Sequence, residues 1–508
     1  MKNNGEKIES KIIEKEEVAG NPFILLLDEF LSTENLSERL ATSPLDGVDI
    51  SSLGMQSRLD MLDRMHEEYF EPTSTSEDIA TRIFRLIRKG YVNRDPTKPN
   101  VRKMTMKIAE YSGCEMNTVP WFSTYANGMT IKGITGLGKS YEVKRALSLL
   151  PQCIDHGRSP AAGWRSMKQV TYLYVAMSHD GTLGGLLFQI LCALDEIIGT
   201  EYSLDKSLTR LSNEKLAVQL GIIFRNHGVG ALIIDELQKR NFDGHGHGGL
   251  AATFFLRLLN FGIPVVLVGN TFGLNALCSF SQDVRRIGSG GTIAMHPHQD
   301  NDFDWGECLA PGIWGQSVMP EPSPIKTPKE LLFKYSGGIR DYGCRINFAT
   351  QRLSLDLGDR FITEDHMKQA FYGYDFSDQD RDLIVGFRDK NPILLSQFED
   401  VPWEEYAIRW GLLSDKESPS PIQHNANNGT ESSVGDESGA QPKAKSPKPV
   451  PLKDLEQIKT KRTRAANAAK KQLQSHNQAE AGDMRGNGLK EYLITGIDSI
   501  LTNKGQVN

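Results

Sequence analysis

Apolar positions recur along this chain with two different periods, and the switches between them mark out its elements. The stretch Ser76 to Gly90, SEDIATRIFRLIRKG, places Ile79, Ile83, Leu86 and Ile87 at helical spacing. Ser76 can cap that helix, Glu77 and Asp78 suit its first turn, Arg88 and Lys89 suit its last, and Gly90 ends it. Short helical patterns precede it from Asn21 to about Arg64, and Tyr91 to Pro96 reads as a turn. Further on, apolar runs without a polar face read as strands: Met129–Lys132, Gln169–Ser178, Ala231–Asp235, Ile263–Gly269 and Thr292–Met295. Helical patterns alternate with them at Tyr141–Leu150, where Pro151 stops the run, and at Thr182–Ile198, Glu214–Arg225 and Leu250–Phe261, with Gly262 as C-cap. Strands alternating with helices predict a parallel sheet covered by helices on both faces, an α/β fold whose ligand sits at the carboxyl ends of the strands.

The pattern changes after this block. Residues 287–325 are rich in Gly, Pro and Trp with little helical period, and read as an irregular insertion around the 292–295 strand. Thr327-Pro-Lys-Glu330 is a capping box with Pro at the first helical position. Ser336-Gly-Gly338 breaks that helix, a second starts at Ile339, and Thr363 caps a third through Tyr372. This small bundle reads as a lid over the ligand. Ser377 to about Leu413 is helical. From Lys416 to Pro451 the composition turns to Ser, Pro, Asn, Gly and Gln, which predicts disorder. Lys453–Gln474 is helix-prone and basic, and Leu489–Leu501 has amphipathic spacing. The expected domains are a mostly helical N-terminal region 1–110, an αβα core 111–325, a lid 326–375, a helical extension 376–415, a linker 416–451 and a tail 452–508.

Candidate chemistry gathers at the predicted strand ends. Gly133, Ile134, Thr135, Gly136, Leu137, Gly138, Lys139 and Ser140 spell the P-loop pattern between a strand and a helix. Gly133, Gly136 and Gly138 let the backbone turn tightly and bring its N–H groups to phosphate oxygens. Lys139 supplies a point charge to the β- and γ-phosphates, and the Ser140 hydroxyl a ligand for Mg²⁺. Asp235 and Glu236 close the second apolar strand, the first as a magnesium ligand and the second as the base for an attacking water. Asn270 ends the third strand, where its side chain can reach the γ-phosphate. Arg285 and Arg286 follow one helical segment later and are candidates to enter a neighbouring subunit's site. Arg340 lies in a first helical turn, against the helix dipole, a placement tolerable beside an anion such as a phosphate. His245 and His247, and His296 and His298, form His-x-His pairs without the ligand spacing of a closed metal site.

Bulk properties narrow this reading. The 508 residues carry a formal net charge of −6, so no global basic field points to nucleic acid, and local charge must carry that argument. Arg82, Arg85, Arg88, Lys89 and Arg94 make one area basic, either a solvated face or a DNA contact. The polar start MKNNGEKIESK has no signal-peptide core, and no apolar run reaches the length of a membrane span. The six scattered cysteines contain no CxxC, which fits reduced thiols and a cytoplasmic location.

With these residues assembled, the chain from about Asn21 to Tyr372 resembles the TnsC-type AAA+ regulators of target-choosing bacterial transposons. The resemblance is carried by Asn21-Pro-Phe-Ile, Ile87–Pro96, the P-loop, Leu232–Gln238, Gly262–Gly269 and the Arg285-Arg286 pair. It implies an ATPase with ATP and Mg²⁺ as cofactors, assembling with itself into rings or filaments on duplex DNA without reading sequence. It also implies that the assembly links a target-selecting protein to the transposase. The resemblance makes Asn270 the sensor, Arg285 or Arg286 the finger and Arg340 a second sensor. The tail's position and composition point to the transposase as its partner, and the N-terminal region is the expected dock for the selector. A replication-initiator or clamp-loading ATPase, and a signalling NTPase that needs no DNA, are the competing readings.

Overall fold

The computed structural model describes residues 20–413 except 28, 123–125, 179–180, 242–246 and 278–280. Expectations for residues 1–19, for most of the Gly/His loop with His245, for Cys278, and for the linker and tail beyond 413 lie outside the described residues.

Among the described residues, seven strands form: β1 (Gly128–Lys132), β2 (Cys153–His156), β3 (Met167–Val170), β4 (Tyr172–Ala176), β5 (Ala231–Leu237), β6 (Val265–Gly269) and β7 (Thr292–Ala294). Five of them make one parallel sheet in the order β4-β5-β6-β1-β7, and β2 and β3 pair as an antiparallel hairpin. The apolar run Gln169–Ser178 is therefore two strands, not one. Val170 ends the hairpin, and the wholly buried Thr171 donates its N–H to the Gln152 carbonyl at 2.9 Å, so the chain changes partner there. An unbroken apolar run cannot reveal a change of partner, because both partners want the same side chains.

Residues alternate between two cores across the sheet, as the pleat requires. Leu232, Ile234, Val265 and Leu267 face helices Leu183–Ile198, Asn213–Asn226 and His247–Asn260. Met129, Ile131, Ile233, Val266 and Val268 face helices Ser74–Asn93 and Lys139–Ser148. The first of these lies inside the segment 1–110 yet shares the sheet's core. It is also longer than its sequence signals suggest. Thr73, not Ser76, caps it, with the Ser76 side chain returning the bond, and Gly90 does not end it. Gly90 serves contact instead: a Cβ there would lie 2.8 Å from Pro264 Cγ. Asn21 Nδ2 donates to the Tyr91 carbonyl at 2.8 Å, and the Phe23 ring sits 5.2 Å from Tyr91 and 5.7 Å from Trp164. Two separate sequence motifs are thus one packed unit.

A third core holds the lid. It joins helices Pro328–Ser336, Arg340–Asp356 and Glu364–Phe371 to the extension through Phe387 and Tyr406, and takes in Ile134 and Leu137 from the P-loop. Segment 287–325 is not the irregular insertion its composition suggests. It winds into a π-helix at Asp304–Leu309 and an α-helix at Ala310–Gly315, with Trp305 fully buried beneath the lid. Helix Pro328–Ser336 forms as expected, but the Thr327 side chain makes no cap bond, whereas Thr363 and His366 form a complete box. Among the described residues, no helix is long and apolar enough to cross a membrane.

Trp305→Ala should destabilise the protein by about 3–5 kcal/mol, the usual cost of truncating a fully buried aromatic. Chemical denaturation measures it, and an unchanged midpoint would show that this segment lies outside the cooperative core.

Candidate functional site

The P-loop leaves β1 at Lys132 and must pass under the strand on its far side. A Cβ on Gly133 would come within 2.7 Å of the Met295 carbonyl oxygen, so only glycine fits. Gly136 (φ +85°) and Gly138 (φ +84°) take the left-handed backbone that side chains resist. Gly138 then starts helix Lys139–Ser148 without any side-chain cap. The first N–H groups of that helix therefore remain available to an anion. Ile134 and Leu137 are buried in the lid core and hold the loop's shape.

Lys139 Nζ donates to the Ile134 carbonyl at 2.6 Å, inside its own loop. Burial pulls its pKa down to about 8, with Asp235 and Asp400 opposing the shift. Asp400 comes from the C-terminal extension and accepts from the Thr135 hydroxyl at 3.3 Å.

Asp235 is buried at the carboxyl end of β5, where it accepts from the Tyr174 hydroxyl and from the Glu236 N–H at 2.7 Å. Ser140 lies close to the same Tyr174 side chain. Tyr174 stands on the neighbouring strand β4, with Lys144 Nζ 5.2 Å from its ring centre. Ser140 and Asp235 are thus gathered around one point. A hydroxyl and a carboxylate are hard oxygen donors, a set that fits Mg²⁺ completed by phosphate and water. Next along, β5 carries a register irregularity between Ile234 and Leu237, and Glu236 adopts φ +59° with its side chain exposed. A non-glycine residue in that region is strained and clusters at working sites.

The remaining predicted residues fall in three places. Asn270 follows β6 beside the end of β5, its N–H donating to the Leu237 carbonyl at 3.0 Å. Its Oδ1 caps the next helix through the Gly273 N–H at 2.6 Å, which leaves the NH₂ group for any ligand. Arg285 and Arg286 are exposed on helix Ser281–Ile287, whose end packs against Gly128. That is the opposite end of β1 from the P-loop, so neither reaches its own chain's loop. Arg286 stacks 4.7 Å from the Trp121 ring centre, and Arg257 does the same.

Arg340 lies beside the P-loop, its Cδ 3.4 Å from the Cβ position of Gly138. The buried Glu142 of the P-loop helix pairs with it and offsets its charge. Its other nitrogen donates to the Glu71 carbonyl, and the guanidinium lies 4.4 Å from the Phe70 ring centre. Burial pushes the Glu142 carboxyl up, and Arg340 pulls it back. A cavity of about 230 Å³ opens here, lined by Leu137, Glu142, His296, His298, Arg340 and Arg409. His296 meets Tyr406 edge to face with ring centres 5.7 Å apart, and His298 lies 3.9 Å from Asp302.

Sequence reasoning missed Tyr174, Glu142 and Asp400. Tyr174 sits in an apolar strand where a tyrosine reads as packing. Glu142 follows the Gly-Lys-Ser by two positions in a helix that looks half exposed. Asp400 lies some 260 residues from the loop it touches, and no local pattern could pair them.

Residues 123–277 match the AAA domain family. Together with the β4-β5-β6-β1-β7 sheet and the loop after β1, that match decides the fold. It is the fold of an AAA+ P-loop NTPase. Similar solved structures include the RuvB Holliday junction branch migration motor from Thermotoga maritima, 15% identical, covering 62% of this chain and 89% of that one, with a TM-score of 0.32. They also include the Aeropyrum pernix ORC1 protein in complex with DNA, at 16% identity, 65% and 83% coverage and a TM-score of 0.33. The Aeropyrum pernix ORC2 protein in ADPNP–ADP complexes gives 12%, 62% and 85%, and 0.33. Among curated proteins, none matches the chain. AAA+ P-loop folds bind nucleotides, and the glycine loop is the part that does so.

A pKa of about 8 at Lys139 fixes a sign. Below that pH the ammonium is charged and attracts phosphate; above it the amine is neutral. Affinity for a triphosphate analogue should therefore fall about tenfold between pH 7 and pH 9, mostly above pH 8. Equilibrium titration across that range measures it, and a flat profile would remove Lys139 from the binding charge.

Proposed function

We propose that this chain is an ATP-dependent switch that assembles on duplex DNA, and that it regulates DNA transposition by linking a target-selecting protein to the transposase. One observation carries the first half: Lys139, Ser140, Asp235 and Tyr174 meet at the mouth of an uncapped, glycine-walled loop. ATP would place its β- and γ-phosphates on the loop N–H groups and Lys139, and the rest of the nucleotide in the cavity beside Glu142 and Arg340. Bound to Ser140 and Asp235, magnesium would neutralise the charge that develops between the phosphates. Glu236 stands next, exposed at the strand end, to take the proton of an attacking water. Asn270 would use its free NH₂ group to hold that water or the γ-phosphate.

The guanidinium from a neighbouring subunit is assigned to Arg285. Both are exposed, but Arg286 is already engaged by the Trp121 ring, whereas no ring contact engages Arg285 among the described residues. As a second sensor, Arg340 would have to exchange the Glu142 carboxylate for phosphate. That exchange would tie the lid's position to nucleotide loading.

The transposition half rests on the motifs that set the resemblance apart from NTPases at large. Asn21–Phe23 and Tyr91, in the last turn of helix Ser74–Asn93, hold each other, which gives both motifs a physical reason to occur in one chain. In this reading segment 1–110 meets the selector, 326–375 is the lid, and the basic residues beyond 452 recruit the transposase. A replication initiator or clamp loader would share the nucleotide site, so the partner proteins separate the two readings. Co-purification with a transposase encoded beside this gene supports the first; its failure with intact ATP and DNA binding supports the second.

Turnover acts here as a timer, not as a motor. A nonhydrolysable ATP analogue should support stable oligomers on duplex DNA, seen by sedimentation or electron microscopy, and a need for continuous hydrolysis would refute the switch. Lys139→Ala should lose both ATP binding and assembly. Glu236→Gln should still bind and assemble, with turnover reduced by about 10² or more. Arg285→Ala should cut DNA-stimulated turnover by about 10³, while Arg286→Ala should change it far less. The reverse order would exchange the two roles.

A further inference from the structure

Charge on this chain is strongly segregated. Residues 85–109 hold eight Lys and Arg against one acid, Asp95, and residues 156–168 hold three Lys and Arg and no acid, in a chain whose net charge is −6. The fold brings these two segments together. Arg102, on helix Pro99–Ala109, donates to the Ala161 carbonyl at 2.6 Å and so clamps the helix to the tip of the β2–β3 hairpin. Lys103 and Lys107 are exposed one turn apart on that helix. Ser159 and Trp164 form an isolated antiparallel bridge in the hairpin tip, so the exposed Arg158 and Arg165 flank it side by side. The lone acid does not neutralise this face: Asp95 is buried, accepts from the Thr97 hydroxyl at 2.7 Å and lies 3.6 Å from Lys98. Among the described residues, none of Lys103, Lys107, Arg158 and Arg165 is in an ion pair.

We infer that this face, helix Pro99–Ala109 with the hairpin tip, is where the protein grips the phosphate backbone of duplex DNA. The inference rests on the DNA-bound reading above and names its surface. Three features favour nucleic acid over an acidic protein. The charges are cationic and unpaired, as nucleic-acid interfaces require. The helix exposes one large apolar side chain, Met106, where a protein interface would carry an apolar or aromatic centre. The four exposed side chains are long, flexible cations, which suits contact with phosphates rather than base edges. The face also lies away from the nucleotide. Val170, at the end of the hairpin, bonds to His227 and Gly230, which precede β5, whereas the P-loop stands at the carboxyl ends of the strands. DNA and ATP would therefore occupy opposite ends of one sheet.

The test uses the full chain and an arbitrary-sequence fluorescent duplex, with a nonhydrolysable ATP analogue present. The quadruple variant Lys103→Glu, Lys107→Glu, Arg158→Glu, Arg165→Glu should bind at least about tenfold more weakly at 0.1 M salt. Its slope of log affinity against log salt should be shallower by about three to four. Its affinity for a fluorescent ATP analogue and its melting temperature should stay as in the wild type. A control, Lys206→Glu with Arg210→Glu, reverses two exposed charges elsewhere and should leave DNA affinity nearly unchanged. Wild-type DNA affinity and slope in the quadruple variant would overturn the surface and turn attention to an acidic protein partner there. An equal loss in the control would also overturn it, by showing a bulk charge effect. If the wild type binds no duplex in any nucleotide state, the DNA-bound reading itself fails.

Discussion

A half-buried ammonium with only a carbonyl to hold it is the constraint on which the site depends. Lys139 is partly withdrawn from water, and its partner inside the loop is the neutral oxygen of Ile134. Desolvation of a charge without a full counter-ion is expensive, and its lowered pKa is the direct sign of that cost. The surrounding structure makes sense as the means of tolerating this. Two glycines in left-handed backbone keep the loop open, an uncapped helix adds its own positive end, and Asp235 and Asp400 offset the charge from a distance. A polyanion would satisfy all of these groups at once. The loop is prepared for a ligand whose charge it lacks.

The lid is tied to the same place by a second buried charge. Arg340 opposes the dipole of the helix it begins, which is unfavourable unless an anion stands close. Glu142 supplies one from the P-loop helix, and the Asp341 N–H donates to the Gly136 carbonyl at 3.1 Å. Breaking a buried pair by removing one member costs about 3–5 kcal/mol, because the other is left alone. The lid and the loop therefore move as a coupled pair. Any phosphate that draws Arg340 away must stabilise both Arg340 and the Glu142 it abandons. The Asp400–Thr135 contact adds the C-terminal extension to this set, so three elements far apart in sequence share one small volume.

Much of the fold could be read from the chain because most of its decisions are local. β6 is wholly apolar and β5 is apolar up to Asp235, the helices that cover them have clear periods, and the P-loop is a short contiguous motif. What could not be read depends on contacts between distant residues. The split at Thr171 follows from a change of hydrogen-bond partner. Position 90 is glycine because Pro264 needs the space, not to end helix Ser74–Asn93, which runs on to Asn93. Segment 287–325 looked irregular since its helices are short and one is a π-helix, but Trp305 gave it a core. At the site, residues of the motif came together, while those around it did not announce themselves. Tyr174, Glu142 and Asp400 are ordinary in sequence and acquire meaning only from their neighbours.

The two ends of the central sheet carry different electrostatics, and this separation has a mechanical consequence. At the carboxyl ends sit a cation and its flanking acids, arranged for one small anion. Toward the amino ends, helix Pro99–Ala109 and the hairpin present exposed cations with one engaged acid nearby. The sheet between them is rigid, since β6 is buried along its whole length and β5 at every residue but Glu236. Helix Ser74–Asn93 runs along it: Asp304, in the cavity wall, holds its first residue, Ser74, and Arg94 follows its last turn. Arg94 is itself buried, its Nε bonded to the Gly90 carbonyl at 3.2 Å and its carbons 3.4–3.5 Å from the Cβ position of Gly262. A shift of that helix at the nucleotide end would be carried along its length, because a close-packed core transmits displacement and does not absorb it. One helix, capped by Thr73 and wedged at Gly90, thus spans from the lid to the basic face.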